Sequence, residues 1–221
     1  MITAFLDLDG TLIDSKVGIT SSIQYALKRL GADVPHQDDL EWCLGPPIRE
    51  SFAILLGEGA DLEEAVDLYR ERFAEAGKFE ADVYDGIGEM LMDLQDMGAR
   101  IYLATSKMQE HAQDIVEHFG IHAYLDGLFG SEPDGERSDK TSLLQFALEE
   151  TGADPAKCFM LGDRRHDIFG AKNNDILSIG ALWGFGGPEE LREAEADLLV
   201  GVPEELTEAL ADAFPEEEDE E

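Results

Sequence analysis

A few short stretches hold the residues whose types and spacing could do chemistry. Asp7 and Asp9 stand two apart and are followed by Gly10-Thr11. Thr105, Ser106 and Lys107 are consecutive, Lys140 is isolated, and Asp163 and Asp167 bracket Arg164-Arg165-His166. In extended backbone, residues two apart project to the same side, so Asp7 and Asp9 can face one site. Buried carboxylates need a metal, a cation or a proton to stay buried. Hard oxygen ligands suit Mg²⁺, and free N–H groups at a helix start suit a phosphate. Brought together, these groups would support metal-assisted phosphoryl chemistry. Each stretch also has a plainer reading. Asp-Gly is common turn chemistry, and Asp163 and Asp167 suit turn and N-cap positions before a helix. Lys140 reads as a solvated side chain or, being electrostatically misplaced at a helix start, as a cation facing a nearby anion.

For these residues to meet, the chain must bring several strand ends to one place. Residues 2–6 are almost wholly apolar and predict a strand buried on both faces, ending at Asp7. A second strand is expected at 100–105, ending in Thr105, and a third at 158–161, leading to Asp163. In open α/β sheets ligands sit beyond the carboxyl ends of the strands. If these strands are parallel neighbours, Asp7, Asp9, Thr105, Asp163 and Asp167 share one crevice. Further strands are expected at 176–181 and 198–200, and a weaker strand signal lies at 128–129.

Between the strands the apolar spacing is helical. Helices are expected at 15–31, 38–44, 48–56, 61–76, 86–98, 138–152, 167–173, 188–194 and 203–214. One more should open at Ser106, with Ser106 and Gln109 as a capping box, and run to Gly120. Strands alternating with helices imply α/β architecture, a Rossmann-like parallel sheet flanked by helices. No strand candidate falls between residues 15 and 80, which predicts an inserted all-α subdomain. The expected division is residues 1–14 and 83–214 as the core, 15–82 as the helical insert, and 215–221 as an acidic disordered tail.

Sixteen Lys and Arg against fifty Asp and Glu leave a net charge of −34. That field opposes binding to nucleic acid polymers and to anionic membranes. The last six residues are all acidic, so the remaining charge is spread over the folded part. Adaptation to high salt, where screening relieves self-repulsion, is one reading; a soluble acidic enzyme is the other. No apolar run approaches a membrane span, and the start lacks the features of a signal peptide, so a cytoplasmic location is expected. Cys43 and Cys158 suggest neither a disulfide framework nor a metal site, and are expected to be buried.

The ordered set D-L-D-G-T-L, a strand ending in Thr, an isolated Lys and then G-D-R-R-H-D resembles the haloacid dehalogenase superfamily of phosphohydrolases over residues 1–214. The helical insertion resembles the small cap of the phosphoglycolate-phosphatase-like branch. Gly45-Pro46-Pro47, Glu189-Glu190-Leu191 and Ala196-Asp197 resemble that branch as well. Where the family often has Lys-Pro, this chain has Lys140-Thr141, which is similar to relatives of the 5′-nucleotidase type.

The resemblance implies a Mg²⁺-dependent phosphatase acting on a small phosphorylated metabolite, as a monomer or dimer. It makes Asp7 the nucleophile that forms an aspartyl-phosphate and Asp9 the general acid and base. Asp7, Asp9 through its carbonyl, Asp163 and Asp167 would hold Mg²⁺, Asp167 through water. Thr105 and the Ser106 N–H would bind phosphate oxygens, and Lys140 would neutralise Asp7 and the phosphate. Thr11 would orient the loop, Lys107 is a rival or accessory cation, and His166 is structural or at the surface. The cap should set specificity, with Arg49 as the candidate for a second anionic group on the substrate or, alternatively, an exposed helix Arg. A phosphomutase like β-phosphoglucomutase, and a silent binding protein on the same fold, are the alternatives.

Overall fold

The computed structural model describes residues 1–133 and 135–215. The tail expected at 215–221 therefore lies, from residue 216 on, outside the described residues. The chain forms two compact units, residues 13–83 and the segments on either side of them.

The flanking segments begin with β1 (Thr3–Leu6), whose residues are all buried. The 13–83 unit opens with β2 (Ile13–Asp14), continues through the helices α1 (Lys16–Arg29), α2 (Ile48–Leu56) and α3 (Leu62–Glu75), and closes with β3 (Asp82–Val83). β2 and β3 pair antiparallel, Ile13 opposite Val83, so this helical insert carries a short ribbon that periodicity did not reveal. Asp61 caps α3 by accepting from the Glu63 and Glu64 N–H groups, each at 3.1 Å. α1 packs on α3, with Ile23, Leu27, Phe52 and Phe73 in the interior. The helical piece expected at 38–44 is a 3-10 helix, Gln37–Cys43.

The rest of the chain alternates helix and strand. It runs α4 (Ile87–Asp96), β4 (Arg100–Met108), α5 (Gln109–His118), β5 (Gly127–Ser131), α6 (Lys140–Thr151) and β6 (Cys158–Gly162). It then continues α7 (Arg165–Asn173), β7 (Leu177–Ala181), α8 (Gly187–Glu193), β8 (Leu198–Val200) and α9 (Leu206–Ala213). The helix expected at 203–214 is a 3-10 turn, Pro203–Glu205, followed by α9. Among the described residues the sheet order is β5-β4-β1-β6-β7-β8, and every pairing in it is parallel. β1 is central: Phe5 stands opposite Tyr102 on one side and Met160 on the other. The chain runs from β1 outward through β4 to β5 and then crosses to β6, β7 and β8 on the other side, a topological switch point beside the carboxyl end of β1.

Alternation along β1 sends Phe5 to one face and Ala4 and Leu6 to the other. Phe5 joins Tyr102, Met160, Leu143, Leu144 and Ile176 in a cluster beneath α6. Each fully buried side chain of this size contributes roughly 1.5–3 kcal/mol relative to exposure. On α4, Ile87, Met90, Leu91 and Leu94 are buried at the spacing of one helix face. With both faces covered, the sheet leaves its strand ends as the place for polar chemistry.

The expectation at Ser106 is corrected. β4 does not stop at Thr105 but runs to Met108, where it regains register with β5 at Ser131 after an irregularity between Ala104 and Met108. α5 starts only at Gln109, and its N-cap, Met108, makes no side-chain cap bond. The predicted capping box is absent because Gln109 is engaged across the sheet, its Oε1 accepting from Gly130 N–H at 3.3 Å. Ser106 is a strand residue, and its N–H does not belong to a helix start.

Candidate active site

The site is built where β1, β4 and β6 end side by side. Asp7 extends β1 by one residue, its N–H donating to Leu161 O at 3.0 Å. Its carboxylate is thereby delivered at the end of a rigid central strand, the side chain 11% exposed. Gly10 follows with φ of 81°, and a Cβ there would fall 2.3 Å from Asp163 Oδ2. The turn therefore needs glycine twice over, for its backbone conformation and for its approach to Asp163.

Lys140, the first residue of α6, points away from solvent and is 5 % exposed. Its Nζ stands 2.7 Å from Asp7 Oδ1 and 2.8 Å from Asp167 Oδ1. It also donates to Ala104 O at 2.7 Å. One ammonium thus ties the end of β1 to β4 and α7. α6 can approach α7 this closely because residue 170 is glycine; a Cβ there would lie 2.6 Å from Lys140 Cβ.

Asp163 is fully buried. Its Oδ1 accepts from the Thr11 hydroxyl at 3.3 Å and its Oδ2 from Phe185 N–H at 2.7 Å. Asp167 plays two parts. Its Oδ2 accepts from Arg164 N–H at 3.0 Å, holding the first turn of α7, while its Oδ1 faces Lys140. One side chain thus holds the first turn of α7 from its N3 position, not as the N-cap, and also faces Lys140. Carboxylate oxygens of Asp7, Asp163 and Asp167 lie within 4.8 Å of one another.

The electrostatics of this group are unbalanced, since a single buried ammonium faces three buried carboxylates. Burial pushes the Asp7 carboxyl up to about 6, with Lys140 opposing the rise and Asp167 and Asp9 adding to it. Asp163 is driven well above the ordinary carboxylate range by burial and then by Asp167 and Asp7, despite the Phe185 N–H. Burial works against the charge on Lys140, but Asp167 and Asp7 outweigh it and raise the ammonium's pKa. Closely spaced hard oxygens with unneutralised charge form a donor set that fits a divalent cation.

Asp9 lies beside this cluster. Its Oδ2 stands 2.9 Å from Lys107 Nζ, and its buried Oδ1 meets no hydrogen-bond partner among the described residues. Thr105 is buried, and its Oγ1 accepts from Lys107 N–H at 3.2 Å. Ser106 is half-buried on the same strand. His166 is exposed. Asp7, Lys140 and Asp167 are thus joined directly, Asp163 and Thr11 complete the wall, and Asp9 and Lys107 form a second pair. Arg49 is in the 13–83 unit, exposed on α2 and ion-paired with Glu63.

Sequence reasoning missed the segment from Trp183 to Glu190 as part of this construction. Trp183 Nε1 donates to Thr11 O at 2.9 Å, and a Cβ at Gly184 would lie 2.2 Å from Asp163 Cβ. Glu190 Oε1 accepts from Arg164 Nε and from Arg165 N–H, each at 2.9 Å. Although burial raises the Glu190 carboxyl, these donors win and hold it down at about 2. The Glu189-Glu190-Leu191 pattern was a visible signal, but it carried no role.

Comparison with known proteins gives a consistent picture. Residues 4–181 match the family described as haloacid dehalogenase-like hydrolase. A 5′-nucleotidase of Pseudomonas aeruginosa is 44% identical over 187 residues, covering 84% of this chain and 85% of that protein. The tyrosine-protein kinase PtkA of Mycobacterium tuberculosis is 41% identical over 81% of this chain, and the match spans 62% of PtkA's length. A crystal structure of a predicted phosphatase from Clostridium acetobutylicum superimposes with a TM-score of 0.89 at 37% identity, covering 96% of this chain and 99% of that one. Among the described residues no helix is long and apolar enough to cross a membrane.

Proposed function

The chain belongs to the haloacid dehalogenase-like hydrolase family and is a phosphatase, and from that premise we propose that it hydrolyses a small phosphate monoester through a covalent intermediate on Asp7. The observation that carries the reading is the Asp7 carboxylate held between the Lys140 ammonium and the carboxylates of Asp163 and Asp167.

Asp7 and Asp163, with the Asp9 carbonyl and with Asp167 through water, would hold Mg²⁺. The bound ion would supply Lewis-acid neutralisation of phosphate charge. Asp7 attacks phosphorus; the bond to its carboxylate oxygen forms as the bond to the leaving alcohol breaks. Asp9 gives that alcohol its proton, then takes one from the water that cleaves the aspartyl-phosphate, so the enzyme is regenerated. Lys140 keeps Asp7 oriented on the strand end and offsets its charge as the anionic phosphate approaches. Thr105 and the Ser106 N–H bind phosphate oxygens, Ser106 as a strand N–H rather than as a helix terminus. Lys107, paired with Asp9 in this state, is an accessory cation at the same mouth.

Specificity is assigned to residues 15–82 as the cap domain, because the core chemistry would serve any phosphate monoester. Arg49 is the candidate for a second anionic group on the substrate, which requires exchange of its Glu63 partner. Among small monoesters, two readings lead: a phosphoglycolate-like acid, which gives Arg49 a carboxylate to bind, and a nucleoside 5′-monophosphate. The 44% identical nucleotidase and the Lys140-Thr141 pair favour the second. A phosphate-release screen with Mg²⁺ over nucleoside monophosphates, phosphoglycolate, sugar phosphates and phosphotyrosine tests this directly. Release confined to one small-monoester class supports the proposal. Sugar-phosphate interconversion without free phosphate would make the protein a mutase, and no turnover of any ester would overturn the catalytic account.

A further inference from the structure

Glu190 reaches the site without joining its carboxylate cluster. It projects from α8 toward the turn that links β6 to α7, and its side chain is 12% exposed. Oε1 accepts from Arg164 Nε and from the Arg165 backbone N–H, both at 2.9 Å, while Oε2 lies 3.3 Å from Arg164 Nη2. Arg165 contributes a looser contact, its Nη2 standing 3.4 Å from Oε2. Glu190 therefore grips both a side chain and the backbone of the residues immediately after Asp163.

What that turn has to do explains the grip. Asp163 stands at its start and Asp167 near its end, and both aim carboxylates toward Asp7. Like charges this close repel, and the repulsion favours any opening of the turn that parts them. Within the turn, Asp167 Oδ2 accepts from Arg164 N–H and Asp167 N–H donates to Arg164 O, each at 3.0 Å, but neither tie reaches Arg165. A bidentate Arg–carboxylate contact with an added backbone bond is among the stronger ways to fix a short loop. α8 is itself set firmly, with Pro188 in its first turn and Leu191 fully buried. Residue 186 has no room for a side chain, since a Cβ there would lie 2.1 Å from Asp163 O.

We propose that Glu190 is a positioning residue for the metal-binding carboxylates, clamping Arg164 and the Arg165 N–H so that Asp163 and Asp167 face Asp7 before a cation arrives. This rests on the reading that Asp7, Asp163 and Asp167 hold Mg²⁺. Partners behind metal ligands typically change affinity by roughly 10–100-fold when removed. A merely structural ion pair would change thermal stability and leave metal affinity alone.

The test is calorimetric titration of the full chain with Mg²⁺, beside thermal melts, for wild type, Glu190→Ala, Glu190→Gln, Arg164→Ala and the Glu190→Ala/Arg164→Ala double variant. Glu190→Ala should weaken Mg²⁺ binding by roughly tenfold or more at a temperature where it is fully folded. Glu190→Gln, which keeps an oxygen for the Arg165 N–H, should lose less. The Glu190→Ala/Arg164→Ala double variant should bind no more weakly than the worse single one. Wild-type affinity in Glu190→Ala, whatever its melting temperature, overturns the inference. If Glu190→Ala does not fold, wild-type affinity in Glu190→Gln overturns it. A wild-type chain that binds no Mg²⁺ removes the metal assignment and the inference with it, and so is distinguishable from failure of the inference alone.

Discussion

Lys140 Nζ stands 2.7 Å from Asp7 Oδ1, across 133 residues of sequence. That contact joins the first residue of α6 to the end of the central strand, and Lys140 completes it by reaching Ala104 O and Asp167. A buried cation with three oxygen partners cannot be swapped for a neutral side chain without leaving carboxylates uncompensated.

Lys140→Met should therefore lower kcat for phosphate release by about a hundredfold or more, the scale seen when a pre-organised charge is removed from a reacting centre. Steady-state kinetics with Mg²⁺ would check it. Retention of wild-type kcat would mean that another cation, Lys107 foremost, carries the role.

The raised Asp7 carboxyl sets the sign of a pH effect in metal-free protein. Its folded value, about 6, lies above the ordinary 3.8, so the folded state binds the proton more tightly than the unfolded state does. The associated stability is fully present below the unfolded pKa and is lost as pH rises through about 6. Its size is on the order of 3 kcal/mol, and Asp163 acts in the same direction. Glu190 acts oppositely and elsewhere: its contribution is lost as pH falls toward about 2. Melts in EDTA should show a higher Tm at pH 5 than at pH 8, and Mg²⁺ should shrink the difference. A Tm that rises from pH 5 to pH 8 in EDTA would contradict the charge imbalance.

Gly184 tests the wall behind Asp163. A methyl group there would sit 2.2 Å from Asp163 Cβ and 2.3 Å from Gly10 O. Gly184→Ala should destabilise the protein by about 1–3 kcal/mol, as overpacking does, and weaken Mg²⁺ binding together with it. Denaturant titration measures the first effect. An unchanged midpoint would mean that the segment yields easily.

Much of this site was legible in sequence because it rests on local patterns. The apolar run into Asp7, the spacing of Asp9, and the strand leading to Asp163 each announce themselves within a few residues. Lys140 was legible as an anomaly, a cation where a helix start disfavours one. What was not legible depends on pairing across distance. Nothing near Ser106 says that β4 will regain register with Ser131 and carry the strand past it. Glu190 and Trp183 look like surface and core residues until α8 and the Thr11 loop are folded against the turn. Asp197 is a further case: its Oδ2 accepts from Ser178 N–H at 2.9 Å, a strand-to-loop tie invisible in the pattern that contains it.

The charge of −34 predicts a dependence on salt. At physiological ionic strength screening acts over about 8 Å, and more salt shortens it and relieves self-repulsion. Tm should rise as KCl is increased from millimolar to molar concentrations at fixed pH. A flat or falling Tm would set the salt-adaptation reading aside.

The central claim is that Asp7 is the nucleophile, and the most direct measurement is rapid acid quench of enzyme turning over a phosphate monoester with Mg²⁺, followed by mass spectrometry of the peptide containing Asp7. Wild-type protein should carry one phosphoryl group on Asp7, and Asp7→Asn should carry none and release no phosphate. Undiminished phosphate release by Asp7→Asn, or a phosphoryl group trapped on another residue, would contradict the account.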